Sequence, residues 1–148
     1  MASNYLGGAL MMGPNSLPGT DAGYVVLSQT TTVTTNADGS ASSSTITLPA
    51  SSQILNFFLD TLTAKVVGGG TATTIPVTIG TAAAGTQYLS ATDAFAGGRT
   101  SLSFTTAQCN AMSNIGTNTS VVVTADPNGT ISTTQQVMQL TVVYAQKV

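Results

Sequence analysis

Apolar residues alternate with Thr, Ser and other polar residues along most of this chain. That period of two places successive side chains on opposite faces of a β-strand. Tyr24-Val25-Val26-Leu27 leads into SQTTTVTT, a long stretch rich in β-branched residues, which favour strands. Asn36-Ala37-Asp38-Gly39-Ser40 has turn chemistry, and the next stretch, Ser44 to Leu48, sets Ile46 and Leu48 on one face with Thr45 and Thr47 on the other. A hairpin between these two strands is the expectation, with Pro49 closing it because proline cannot donate to a central ladder.

Between Gln53 and Val67 the apolar parity changes partway. Leu55, Phe57 and Leu59 share one face, whereas Leu62, Ala64 and Val66 share the other. A regular strand tolerates that only if both faces are buried or a bulge shifts the register, so the strand is expected to be central at its start and to bend near Asp60 and Thr61. Gly68-Gly69-Gly70 reads as a loop, and Ile75, Val77 and Ile79 as a clean alternating strand. Tyr88-Leu89-Ser90 reads as strand or turn, Ala91 to Phe95 as a single helical turn, and Arg99 to Phe104 alternates again. TTAQCNAM carries capping residues and helix formers for one or two turns,.

Towards the end, Val121 to Ala125 and the run Thr133 to Ala145 flank Asp126-Pro127-Asn128-Gly129. This turn sequence predicts a second hairpin. In its last strand Met138, Leu140, Val142 and Tyr144 face one way, with Gln139 and Thr141 opposite. About eight strands without a long helix predict an all-β fold, a single antiparallel β-sandwich of jelly-roll type. Residues 1–20, punctuated by Gly7, Gly8, Gly13-Pro14 and Pro18-Gly19, read as an extended arm ahead of a β-sandwich domain over 21–148.

Composition narrows the function. At 148 residues and 42% hydrophobic content, the chain is long enough to bury roughly 70% of its unfolded surface in one core, so it is not read as a linker despite its Thr, Ser and Gly. Charged residues make up only 5% against about 25% in ordinary domains. Lys65, Arg99 and Lys147 are too few and too scattered to form a basic footprint, so nucleic acid is not an expected ligand. No apolar run approaches membrane-spanning length, and the first twenty residues lack the basic start of a secretory signal.

Candidate chemistry is sparse. The sequence contains no His and no Glu, which removes the commonest general base and metal ligand. Cys109 is the single cysteine, so it has no disulfide partner within the chain and no histidine to activate it. The five Asp residues (21, 38, 60, 93 and 126) lie in or beside turns and strand ends. An enzyme is therefore not expected, nor a cofactor or metal. Gly80 to Thr86 has the glycine spacing of a phosphate-binding loop without its lysine, and Asn36 to Ser40 opens like a calcium loop without the closing Glu,. Asn118-Thr119-Ser120 and Asn128-Gly129-Thr130 fit the glycosylation pattern but read as loop chemistry in so Thr-rich a chain. The Thr runs lack the fixed period of an ice-binding face.

Three segments, LPASSQILNFFLDTLTAKV, VTIGTAAAGTQYLSATDAFAGGRTS and QLTVVYAQ, resemble small structural proteins of the head regions of tailed bacteriophages and gene-transfer particles. In those proteins an "LPAG-x-x-IL" corner precedes a strand, a "VGTAAD"-like turn and an "A-x-x-GR" segment follow, and a "V-x-V-x-Y-x-Q" strand closes the domain. The resemblance spans roughly Leu48 to Gln146, and departs from the pattern at Ser51, where Gly is usual, and at Asn56, where Asp is usual. It implies a virion component assembled in the host cytoplasm: a capsid decoration or minor head protein that binds the major capsid protein or other virion proteins as a homo-oligomer, a trimer being favoured, with neither nucleic acid nor membrane as partner. The arm would then be a docking segment whose assembly interface is Tyr5, Leu10, Met11 and Met12. The rivals are a tail, head-tail junction or fibre-base protein, and a receptor- or carbohydrate-binding sandwich. With no Trp and four Tyr, the chain is poorly supplied with aromatic rings for the last of these.

Overall fold

A computed structural model describes residues 24–63, 70–113, 119–131 and 134–147. The arm with Tyr5, Leu10, Met11 and Met12, together with Ala64 and Val66, lies outside the described residues. The described chain forms β1 (Tyr24–Thr34), β2 (Ser42–Leu48), β3 (Ser52–Thr63), β4 (Pro76–Gly80), β5 (Leu89–Asp93), β6 (Gly98–Thr100), α1 (Thr106–Ser113), β7 (Thr119–Ala125) and β8 (Val137–Lys147). The fold is all-β, with two antiparallel four-stranded sheets in the orders β1-β8-β3-β6 and β2-β7-β4-β5. The pairing is nested: β4 meets β5, β3 meets β6, β2 meets β7 and β1 meets β8.

Alternation predicts the interior side chains of β2, β4 and β8 correctly, and β7 adds two more. Ile46 and Leu48 of β2, Val77 and Ile79 of β4, Val121 and Val123 of β7, and Met138, Leu140, Val142 and Tyr144 of β8 join one buried cluster between the sheets. Phe57 of β3 anchors its aromatic part, with ring centroids 5.9 Å from Tyr88 and 6.2 Å from Phe104, within the range of favourable tilted pairs.

The two expected hairpins do not form. β1 and β2 lie in different sheets, as do β7 and β8, because alternation assigns a face to each residue and leaves its partner strand open. Residues 35–41 instead carry the chain from one sheet to the other. Thr35 N–H donates to the Gln136 carbonyl at 3.0 Å, and Gln136 N–H returns to Thr35 Oγ1 at 3.0 Å. The Asn128-Gly129 turn packs against neighbouring connections: Asn128 Oδ1 accepts from Thr73 and Thr74 N–H at 2.9 and 3.0 Å, and Ile131 N–H donates to the Ala37 carbonyl at 2.9 Å. Gly39, at φ +82°, faces the Gly129 carbonyl so closely that any side chain there would collide with it.

Strand β3 shows two register shifts, between Ile54 and Asn56 and between Thr61 and Thr63. The second falls beside the expected bend. The first corrects the sequence reading: Leu55 is the extra residue of a bulge and is 47% exposed, while Ile54 takes the core position. The start of β3 is also not central, since β6 pairs only with Leu59 to Thr61. Residues 89–93 form β5 rather than part of a helical turn, and β6 is only three residues long, with Leu102 and Phe104 packing on the core beyond it.

Helix α1 begins with a capping box. Gln108 N–H donates to Thr105 Oγ1 at 3.3 Å while Thr105 N–H donates to Gln108 Oε1 at 2.9 Å, satisfying two end groups reciprocally. Gln108 is buried, and its amide also donates to the Thr86 carbonyl and Ser90 Oγ at 3.1 and 3.0 Å. The helix start is thereby fastened to the β4–β5 connection.

The corner Pro49-Ala50-Ser51 links β2 to β3 across the sandwich. Ser51 sits at φ +61°, a left-handed conformation that costs an L-residue about 1–2 kcal/mol. Ser51→Gly is expected to raise stability by about 0.5–1 kcal/mol, the relieved strain exceeding the added chain entropy of glycine; an unchanged or lower denaturation midpoint would contradict it. Asn128→Ala removes the contacts to Thr73 and Thr74 and is expected to destabilise by about 1–2 kcal/mol in the same measurement.

Candidate functional site

The carboxylates hold structure. Asp38 Oδ1 accepts from Ser40 N–H and Oγ at 2.9 and 2.7 Å, and these bonds, the backbone one foremost, hold its pKa below the ordinary value. Asp93 Oδ1 accepts from Ile75 and Phe95 N–H at 2.8 and 3.1 Å, clamping two connections together. Asp126 is exposed at the end of β7. No group of three or more His, Cys, Asp or Glu comes together among the described residues, and Cys109 is exposed on α1.

The glycine-spaced stretch from Gly80 is a closed loop between β4 and β5. Gly85 N–H donates to the Ala82 carbonyl at 3.0 Å, Thr81 N–H to Gln87 Oε1 at 3.1 Å, and Ala84 N–H to Thr124 Oγ1 at 2.9 Å. These three donors are taken up by acceptors of the loop itself and of β7. The calcium-like opening is the Asp38 turn described above. Of the described tyrosines, Tyr88 and Tyr144 are buried and only Tyr24 is open for stacking.

Among the described residues, two surface features stand out as able to make contacts. One lies where β3 meets β6. Arg99 Nε and Nη2 donate to the two Asp60 carboxylate oxygens at 2.8 and 2.9 Å, and the guanidinium lies 4.8 Å from the centre of the Phe58 ring. The two-pronged pair and the ring face suit a planar guanidinium. The hydrogen bond from Arg99 lowers the Asp60 pKa and raises that of Arg99. Beside it, Asn56, Phe58, Ser101, Leu102 and Phe104 help line an open groove of about 340 Å³. The other feature is the start of β1, where Tyr24, Val25, Val26 and Leu27 are 60, 45, 61 and 42% exposed. Alternation marked this run as strand but could not reveal that the second sheet stops short of it. Neither feature presents a reactive group; both present surface.

The chain matches no protein-family model, no curated protein and no solved structure.

The Asp60–Arg99 pair has a defined acid signature. Because the folded Asp60 pKa is lowered from its ordinary 3.8, its contribution is full above that value and is lost as pH falls through the lowered folded pKa. Asp60→Asn is therefore expected to melt slightly below the wild type at pH 7. Thermal scans should show this gap closing once both proteins are uncharged at that position, and shrinking in about 1 M salt. A gap independent of pH would show that the pair contributes nothing through charge.

Proposed function

We propose that this chain is a structural component of a virus-like particle, a capsid decoration or minor head protein that docks on a shell built by other virion proteins. The observation that carries this reading is that segments of the phage-head pattern, far apart in sequence, make contact in the fold. Gln146, the last residue of the QLTVVYAQ strand, donates from Nε2 to the Ala50 carbonyl at 2.9 Å, and its Oε1 lies 2.7 Å from Ser52 Oγ, so it pins the LPASSQIL corner. Arg99, from the AFAGGRTS segment, reaches Asp60 in the strand that follows the same corner. Ser51, the position where the pattern has Gly, carries the positive φ that favours Gly,.

The nested strand order supports a jelly roll, an architecture at home in viral capsid proteins. In this reading the eight strands are one long hairpin wrapped on itself. The scarcity of charge supports the same role, because many copies can crowd on a shell without like-charge repulsion. Residues 1–20 serve as the docking arm, with Tyr5, Leu10, Met11 and Met12 as its apolar anchors.

Deleting residues 1–20 is expected to leave a folded β-domain by circular dichroism but to reduce its copies per particle several-fold, measured by quantitative gel of purified particles. Unchanged occupancy would remove the docking role. The same gel separates positions in the particle: a decoration protein is expected at tens to hundreds of copies, a junction or fibre-base protein at about a dozen or fewer.

A further inference from the structure

We propose that the open half of β1 is a homodimer interface, pairing antiparallel with the same edge of a second copy about a two-fold axis at Val26. The described residues present four sheet edges, and three are blunted in ways that discourage pairing. β6 is three residues long and carries Arg99; β5 is five residues long with a register shift against β4; β2 turns polar Ser43, Thr45 and Thr47 outward. β1 runs for eleven residues, pairs with β8 without any shift and contains no charged residue or proline.

Only its first half is open. Further along, Thr31 Oγ1 lies 2.6 Å from Ser44 Oγ and Gln29 Nε2 donates to the Thr47 carbonyl at 3.4 Å, so β2 flanks that part from the other sheet. Val33 beyond them is buried. Tyr24 to Leu27 account for four of the six large exposed apolar residues found among the described ones. They alternate between the two faces of the strand, so a contact on one face would leave half of them wet. A strand added along the edge covers both faces at once and offers ladder hydrogen bonds along the strand.

A second copy fits this edge because the edge is complementary to itself. With the axis at Val26, Val25 lies opposite Leu27 of the second copy, Val26 opposite its equivalent, and Tyr24 opposite Ser28. The apolar pairs fall on both faces, and no like charges meet. A two-fold contact of this kind closes on itself and does not propagate into fibres. The pairing goes beyond the particle role proposed above, and it is read in solution, so either can fail without the other.

The test uses the full chain. Light scattering across a dilution series should give a dimer mass for the wild type. Val26→Lys, which places two ammonium groups opposite each other at an exposed position, should give a monomer with unchanged circular dichroism, weakening association at least about 10-fold. In a Cys109→Ser background, Val26→Cys should form an intermolecular disulfide under mild oxidation, because residues facing each other across the axis fall within disulfide reach. Thr32→Cys, displaced from the axis by six residues along each strand, should not. A monomeric or trimeric wild type, an assembly indifferent to Val26→Lys, or failure of Val26→Cys to cross-link would each overturn the proposal.

Discussion

The first sheet depends on β8. This strand is paired along both edges, with β1 from Tyr24↔Lys147 to Thr34↔Val137 and with β3 from Ser52↔Gln146 to Thr63↔Val137. Its inward residues Met138, Leu140 and Val142 are fully buried. More than a hundred residues separate the paired ends of β1 and β8, so the loop-closure entropy of that pairing must be met before its ladder and core return anything. Among the described residues neither neighbour has another long partner, and without β8 both would lose their long ladder and the apolar strand they pack beside.

The sequence was legible where physical chemistry is local. Most strand faces followed from alternation, the short helix from the capping residues and helix formers of TTAQCNAM, and the corner from Pro49. What could not be read was pairing, because a face-alternating strand satisfies its pattern against any neighbour. Thus Asn36 to Ser40 and Asp126 to Gly129 both carry hairpin chemistry, yet both cross between sheets and bond to each other's surroundings. Leu55 shows the second limit: it matches the parity of Phe57 and Leu59, and only the register with β8 reveals that a bulge expels it.

Polar residues inside the sandwich make the crossings specific. Gln136 is fully buried, and its amide donates to the Ala94 carbonyl at 2.7 Å while its backbone exchanges hydrogen bonds with Thr35. One side chain therefore fixes the position of the connection after β5, and its backbone fixes the one after β1. Hydrophobic burial alone would allow these connections to slide; directed hydrogen bonds in a dry setting do not. An edge or corner can be recognised only if its geometry is held.

The two sheets are covered unequally. The β4–β5 connection reaches the outside of β7, where Ala84 N–H donates to Thr124 Oγ1 at 2.9 Å, and the outward Val122 and Thr124 are buried like the inward Val121, Val123 and Ala125. In the first sheet the outward Thr30 and Thr32 of β1 stay exposed. Among the described residues the outward positions are therefore buried on β7 and exposed on β1. A partner approaching the two sides meets different surfaces: on β7 a loop fastened over the strand, on β1 the threonine side chains of the strand itself.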